Sequence, residues 1–169
     1  HEYAADSFPD KKVVSIVLDK NTTVCGLDRG NPRSISLGST PLEGIMGRMS
    51  CGDVDPGIVL QYMKETGSSV FRIDDLLKKK SGFVGLTGYE LTMPEFMRLW
   101  GRDRKVDLAF EVYQNHLLKY IGQALSLLGE IDGIVVNGCY SAPFLPLVIA
   151  LLQKISFLGV SLRAMPVTV

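Results

Sequence analysis

The sequence predicts an α/β domain, and three observations predict it. Three short β-like segments separated by turns lie near the N-terminus. A long helical stripe of apolar residues runs over 104–128. A buried strand over 132–137 is then followed by an apolar helix. The 169 residues are 46% hydrophobic, which suits one domain with a sizeable core.

Residues 1–11 are polar, contain Phe8-Pro9-Asp10, and read as a lead-in loop. Segment 13–18 is apolar enough for a central strand, and Asp19-Lys20-Asn21 is a turn. Segment 22–27 is a second strand, and Asp28-Arg29-Gly30-Asn31 is a second turn. Segment 33–37 alternates polar and apolar as a third strand, completing a meander. Asp55-Pro56 starts a helix, with Asp as N-cap and Pro in the first turn. Ile58, Val59, Tyr62 and Met63 share one face of it, and Gly67 stops it. A second helix covers 71–80. Gly82, Gly85 and Gly88 punctuate a loop, and a short helix runs over 93–101. In the helix over 104–128, Val106, Ala109, Tyr113, Leu117, Ile121 and Leu128 belong to the apolar stripe, and Gly129 ends it. After the strand over 132–137, Pro143 opens a helix over 143–157, and a last strand begins near Val160. There is no internal repeat and no low-complexity linker.

The charge balance narrows the function. Eighteen basic and eighteen acidic residues cancel, so neither a nucleic-acid footprint nor a membrane-surface patch is implied. Lys78-Lys79-Lys80 reads as the solvated end of a helix, where cations suit the dipole. The longest apolar run, 143–152, is too short to span a bilayer. Cys25, Cys51 and Cys139 are odd in number and unpaired in sequence, so no disulfide framework or zinc knuckle is suggested. The default is the cytoplasm or another reducing compartment. The chain opens on His1 rather than Met, as expected of a piece of a longer polypeptide. His116, on the apolar helix face, reads as a satisfied core histidine. Asp53 and Asp55 are two apart, a hint of metal chemistry, but Asp55 is explained as a helix cap and Asp53 as a loop organiser. No metal ligand set is assigned.

Several longer motifs occur in a distinctive order. Ser39-Thr40-Pro41-Leu42-Glu43-Gly44-Ile45-Met46 precedes Cys51-Gly52-Asp53-Val54-Asp55-Pro56-Gly57-Ile58-Val59. Further on come Lys80-Ser81-Gly82-Phe83-Val84-Gly85-Leu86-Thr87-Gly88, Leu118-Lys119-Tyr120-Ile121-Gly122 and Leu128-Gly129-Glu130-Ile131-Asp132-Gly133-Ile134-Val135-Val136. Phe157-Leu158-Gly159-Val160 closes the series. This series resembles the T-P-L-E-G-L-M-M, S-G-D-I-D-P-A-I-V, K-S-G-L-L-G-V-S-G, I-K-K-Y-I-G, L-G-G-L-D-A-I-V-F and F-L-G-I segments of the acetate kinase family.

The resemblance implies the actin-like ATPase, ribonuclease-H-like fold. It implies that 1–169 is a single lobe, the second of a longer protein whose first lobe is absent from this chain. The implied activity is transfer of the γ-phosphoryl of ATP to the carboxylate of acetate, giving acetyl phosphate and ADP with Mg²⁺. Nucleotide and a small carboxylate are the implied partners. The apolar-striped long helix is the expected contact of a homodimer, or of a pseudo-dimer with an intact paralogue.

Four stretches depart from the family's pattern. Where the family has H-L-G-N-G-S-S, a phosphate-cradling turn, this chain has Val17-Leu18-Asp19-Lys20-Asn21-Thr22-Thr23. Lys20, Asn21, Thr22 and Thr23 are the candidate phosphate ligands; an ordinary hairpin turn is the other reading. Where the family has M-G-T-R-S-G-D, its phosphoryl-stabilising arginine position is Ser50, and the nearby arginine is Arg48, two residues earlier. Arg48 is either the catalytic cation or a surface arginine. Where S-S-D-M-R meets adenosine, this chain has Glu90-Leu91-Thr92-Met93-Pro94; Thr92 is a candidate nucleotide contact or a helix N-cap. The adenosine loop G-G-I-G-E-N is replaced by Gly138-Cys139-Tyr140-Ser141-Ala142-Pro143. Gly138, Cys139, Tyr140 and Ser141 are the nucleotide candidates, with Tyr140 either stacking on a base or filling the pocket itself. Two functions stay open: a phosphotransferase lobe, and a catalytically degenerate domain kept for structure or assembly.

Overall fold

The computed structural model describes residues 1–156. Its centre is a four-stranded sheet in the order β3-β2-β1-β4. The strands are β1 (Lys12–Val17), β2 (Thr23–Asp28), β3 (Asn31–Ile35) and β4 (Gly133–Asn137). The first three form the expected antiparallel meander, with a register irregularity at Gly26/Leu27. β4 lies parallel to β1, pairing Val13 with Gly133 and Val17 with Asn137. Parallel pairing needs a long crossover, and the helices between β3 and β4 supply it.

The two sheet faces are covered unequally. On one, Val14, Ile16, Leu18, Val24 and Ile134 meet the stripe of α6 (Arg104–Leu128). Phe83, Phe96, Phe110, Tyr113 and Phe144 fill that core with mutual ring contacts at centroid distances between 4.8 and 6.5 Å. Each such buried side chain contributes about 1.5–3 kcal/mol. On the other face, Val13, Cys25, Leu27 and Val135 are covered by Ala4 and partly by Phe8. β1 is therefore buried on both sides, as its mostly apolar sequence suits, and the one buried polar side chain in its middle, Ser15, bonds His1 Nδ1 at 2.9 Å.

Helix ends follow the local chemistry. Asp55 caps α2 (Pro56–Thr66) by accepting from Gly57 N–H at 2.7 Å, and Gly67 closes it in the left-handed region. Asp103 caps α6 through the N–H groups of Lys105 and Val106. α3 spans Val70–Lys79, α5 Met93–Leu99 and α7 Ser141–Lys154. The strand expected near Val160 lies outside the described residues.

Two expectations are corrected. The lead-in over 1–11 contains a helix, α1 (Glu2–Ser7), because the second sheet face offers Ala4 and Phe8 an apolar partner. The glycine-punctuated segment after α3 is also helical, as α4 (Gly82–Thr87). Phe83, fully buried, anchors it against Phe110 and Tyr113. Tertiary packing of this kind outweighs the intrinsic cost of glycine, about 1 kcal/mol per residue. Gly82 itself has φ +61, and a Cβ there would sit 2.2 Å from the Gly47 carbonyl oxygen. No other residue fits that position without moving backbone.

The stripe of α6 packs inward. Its buried residues, Val106 to Leu128, face this chain's own core. α6 also leaves Leu108 and Leu127 exposed, and a larger exposed apolar surface lies on α2 and α3, where Ile58, Leu60, Val70 and Phe71 are open and no residue of α2 is buried. No helix among the described residues is long and apolar enough to cross a membrane.

Candidate functional site

Parallel β1 and β4 end at the same sheet edge, so the chain that follows each is brought together there. Leu18 N–H donates to Asn137 O at 2.7 Å, and Tyr140 N–H donates to Leu18 O at 2.9 Å. These bonds stitch the first hairpin turn to the loop over 138–141. Gly138 makes the close approach possible: it has φ +103, and a Cβ would lie 2.4 Å from Leu18 O. The carboxyl ends of strands are where open α/β sheets bind ligands.

A cavity of about 420 Å³ lies there. Lys20 and Asn21 reach it from the hairpin turn, Arg48 and Ser50 from the signature loop, and Tyr140 from the start of α7. Lys78 and Lys79, at the end of α3, also line it. Pro41, Met49 and Met93 complete its wall. Among the described residues it is lined by four cations and no carboxylate.

Arg48 sits at the cavity despite its two-residue displacement, but its guanidinium is engaged. Nε donates to Leu91 O at 2.6 Å, and one terminal nitrogen pairs with Glu90 at 3.2 Å. Tyr140 is half-buried, with its ring 6.0 Å from that of Phe144, and forms a cavity wall continuous with the core. Of the sequence candidates, the fold thus assembles Lys20, Asn21, Arg48 and Tyr140.

The others lie elsewhere. Thr22 is buried, with its hydroxyl 2.6 Å from that of Tyr113. Thr23 points to the opposite sheet face and bonds His1 Nε2 at 2.9 Å. Thr92 is the exposed N-cap of α5, and Glu95 accepts from its backbone N–H at 2.7 Å and its hydroxyl at 2.6 Å. Cys139 is exposed, and its thiol donates to Asp19 Oδ1 at 3.0 Å. That bond and the Lys20 backbone N–H hold the Asp19 carboxyl below its ordinary pKa, while the carboxylate pushes the thiol up. Ser141 is buried in the first turn of α7, and Gly138 contributes backbone geometry. Lys78 and Lys79 read in the sequence as the solvated end of a helix; no local signal brings them beside the first hairpin.

A second cavity of about 370 Å³ lies between the signature loop, α4 and α6. Its polar groups are bonded internally. His116 Nδ1 accepts from Met46 N–H at 3.2 Å, so its proton is on Nε2 in the neutral ring; burial lowers its pKa. Asp53 accepts from Gly44 N–H at 2.7 Å, Tyr120 O–H at 2.7 Å and Lys119 Nζ at 2.5 Å. Burial opposes its charge, yet these bonds outweigh it and hold the carboxyl low. Asp53 and Asp55 are loop organiser and helix cap, as expected. Among the described residues no group of three or more His, Cys, Asp or Glu is arranged to hold a metal ion.

The model of the acetokinase family matches residues 1–166. The chain belongs to the acetokinase family. It is 31% identical to acetate kinase 2 of Aliivibrio fischeri over 151 residues, covering 89% of this chain and 38% of that protein. The crystal structure of Porphyromonas gingivalis acetate kinase superposes with TM-score 0.83 at 25% identity, over 89% of this chain and 38% of that one. Acetate kinase from Entamoeba histolytica gives TM-score 0.83 at 26% identity, over 93% and 43%. The fold of this acetokinase domain is thus the actin-like ATPase fold. The chain spans about two-fifths of the length of the curated relatives it matches.

Proposed function

We propose that this chain is the C-terminal lobe of an acetokinase-type phosphotransferase. Completed by the other lobe, it transfers the γ-phosphoryl of ATP to the carboxylate of acetate, giving acetyl phosphate and ADP. One observation carries the reading: Lys20, Asn21, Arg48 and Tyr140 converge on one cavity at the carboxyl ends of β1 and β4. Phosphoryl transfer is catalysed mainly by positioning and charge neutralisation. Lys20 and Arg48 supply positive charge, Asn21 supplies an amide donor, and Tyr140 offers a ring face to the base. The cationic lining fits a phosphate chain rather than a protein-held cation, so Mg²⁺ enters with the nucleotide's phosphates. The reacting acetate belongs to the cleft between lobes.

The alternative is a lobe that keeps the fold for structure or assembly. The engagement of Arg48 with Leu91 O and Glu90 favours it. The open apolar face of α2 and α3 supports a homodimer or pseudo-dimer seated there, read out as the mass in sedimentation. Three free cysteines suit a reducing, cytoplasmic compartment.

Acetyl phosphate formation by the protein carrying both lobes, trapped as hydroxamate, tests the first reading. Activity that falls at least about tenfold in Arg48→Ala supports a phosphate-contacting role. No acetyl phosphate with Mg-ATP, GTP or pyrophosphate as donor sinks it. Thermal shift of this chain with Mg-ADP tests binding alone, since a ligand specific to the folded state stabilises it by about 2.7 kcal/mol at a hundredfold excess over Kd.

A further inference from the structure

We propose that Lys78 and Lys79 are phosphate-chain ligands of this cavity. The lobe then holds a linear polyphosphate, free or as part of a nucleotide, through side-chain cations at the end of α3 rather than through a backbone cradle. The inference rests on reading the cavity as a nucleotide-phosphate site.

Three features lead to it. First, the usual means of approach is missing from the hairpin turn. Asp19 and Asn21 stand where glycines would let backbone close on phosphate, and the Thr22 and Thr23 hydroxyls are bonded to Tyr113 and His1. Second, Arg48 is held by Leu91 O and Glu90, which leaves the lysines as the larger reserve of positive charge. Third, the lysines are poised but loosely held. Lys78 pairs with Asp74 at 2.5 Å and Lys79 with Asp75 at 3.0 Å, each one turn back on α3. Exposed pairs of this kind contribute under about 1 kcal/mol, so a multiply charged phosphate displaces the carboxylate. Lys80 also bonds Asp75, at 2.8 Å, so Asp75 keeps a counter-ion when Lys79 turns to the ligand.

The experiment is calorimetric titration of this chain with inorganic triphosphate, Mg-ATP and AMP, at low salt and at about 0.5 M salt, where screening shortens to a few ångströms. The K78Q/K79Q variant is expected to weaken triphosphate and Mg-ATP by about tenfold, equivalent to about 1.4 kcal/mol, and to leave AMP nearly unchanged. D74N/D75N frees the lysines and is expected to tighten triphosphate about threefold. A gain of affinity separates this effect from damage to the fold. If the wild-type chain binds Mg-ATP and both variants match it, the lysine inference is overturned and the nucleotide reading stands. If triphosphate binds in a lysine-dependent way and Mg-ATP binds no better, the inference stands and the nucleotide reading fails. Absence of binding by any of the three ligands overturns both.

Discussion

The signature loop over 39–57 and the two turns at the cavity edge, 18–23 and 138–141, have diverged to different degrees. Outside 47–50, where the family's arginine position is Ser50, the loop keeps the family's order of residues, and its polar groups bond one another. Asp53 clamps Gly44, Gly47 N–H donates to Ser50 O, and Asp55 caps α2. The turns have lost most of their glycines; Lys20, Asn21 and Tyr140 line the cavity and Asp19 and Cys139 are exposed, while Leu18, Thr22, Thr23 and Ser141 are buried. The difference teaches that the retained letters are those whose loss would unsettle this lobe by itself. The altered letters cluster around the cavity proposed for the ligand. A resemblance resting on the first kind identifies the fold strongly and the activity weakly.

The sharpest way to break the comparison is Gly82→Ala. A Cβ 2.2 Å from Gly47 O forces α4 away from the signature loop, at a residue with φ +61. The expected loss is roughly 3–5 kcal/mol, read as the midpoint of urea unfolding. A near-neutral result would mean that the loop and α4 adapt, and that the internal fit does not explain retention. Next is Asp53→Asn. It removes the charge that Lys119 and Tyr120 donate to, and about 1–3 kcal/mol is expected to go with it. By contrast Lys20→Ala is expected to change stability by less than about 0.5 kcal/mol while weakening triphosphate binding. A large stability loss there would erase the distinction between the two regions.

Much of the fold was legible because it is local. The Asp55-Pro56 start, the Asp103 and Gly129 ends of α6, and the apolar run of β1 each declare themselves within a few residues. α1 and α4 did not. Six polar-rich residues and a Gly-Phe-Val-Gly stretch carry no helical stripe, and only the sheet face and the aromatic core make them helices. The candidate site was half legible. Strand alternation dictates that Thr22 and Thr23 face opposite sides of the sheet, but not that both sides are covered. Lys78 and Lys79 reach the cavity through the packing of α3, which no spacing in the chain encodes.

The pH dependence sharpens the same contrast. Asp53 has its folded pKa depressed, so its contribution is complete above the unfolded value of about 3.9 and is lost as pH falls through the folded value. His116, also depressed, contributes fully above about 6.5 and loses that contribution as pH falls toward its folded pKa. Both belong to the signature-loop region, and both make acid destabilising. Asp53→Asn is expected to flatten the stability profile below about pH 5 and leave the His116 limb intact. A profile of unchanged shape would show that the Asp53 clamp is not what acid releases.

The smallest effect belongs to the cavity edge. Cys139 is exposed, yet the carboxylate of Asp19 accepts its proton in a hydrogen bond and raises its pKa. Thiolate is the reactive form, so the thiol at this edge is slower than its exposure implies. Asp19→Asn removes the charge and lowers the thiol pKa toward its ordinary value. The rate of disulfide-reagent labelling at pH 8 is expected to rise about threefold, with stability unchanged within about 0.5 kcal/mol. Cys25 is buried and Cys51 half-buried with raised pKa values, so the fast phase reports Cys139. A rate unaffected by the substitution would mean that the thiol and carboxylate are apart in solution. The hairpin turn and the loop over 138–141 would then be joined by the backbone bonds of Leu18 alone, with no side-chain latch between them.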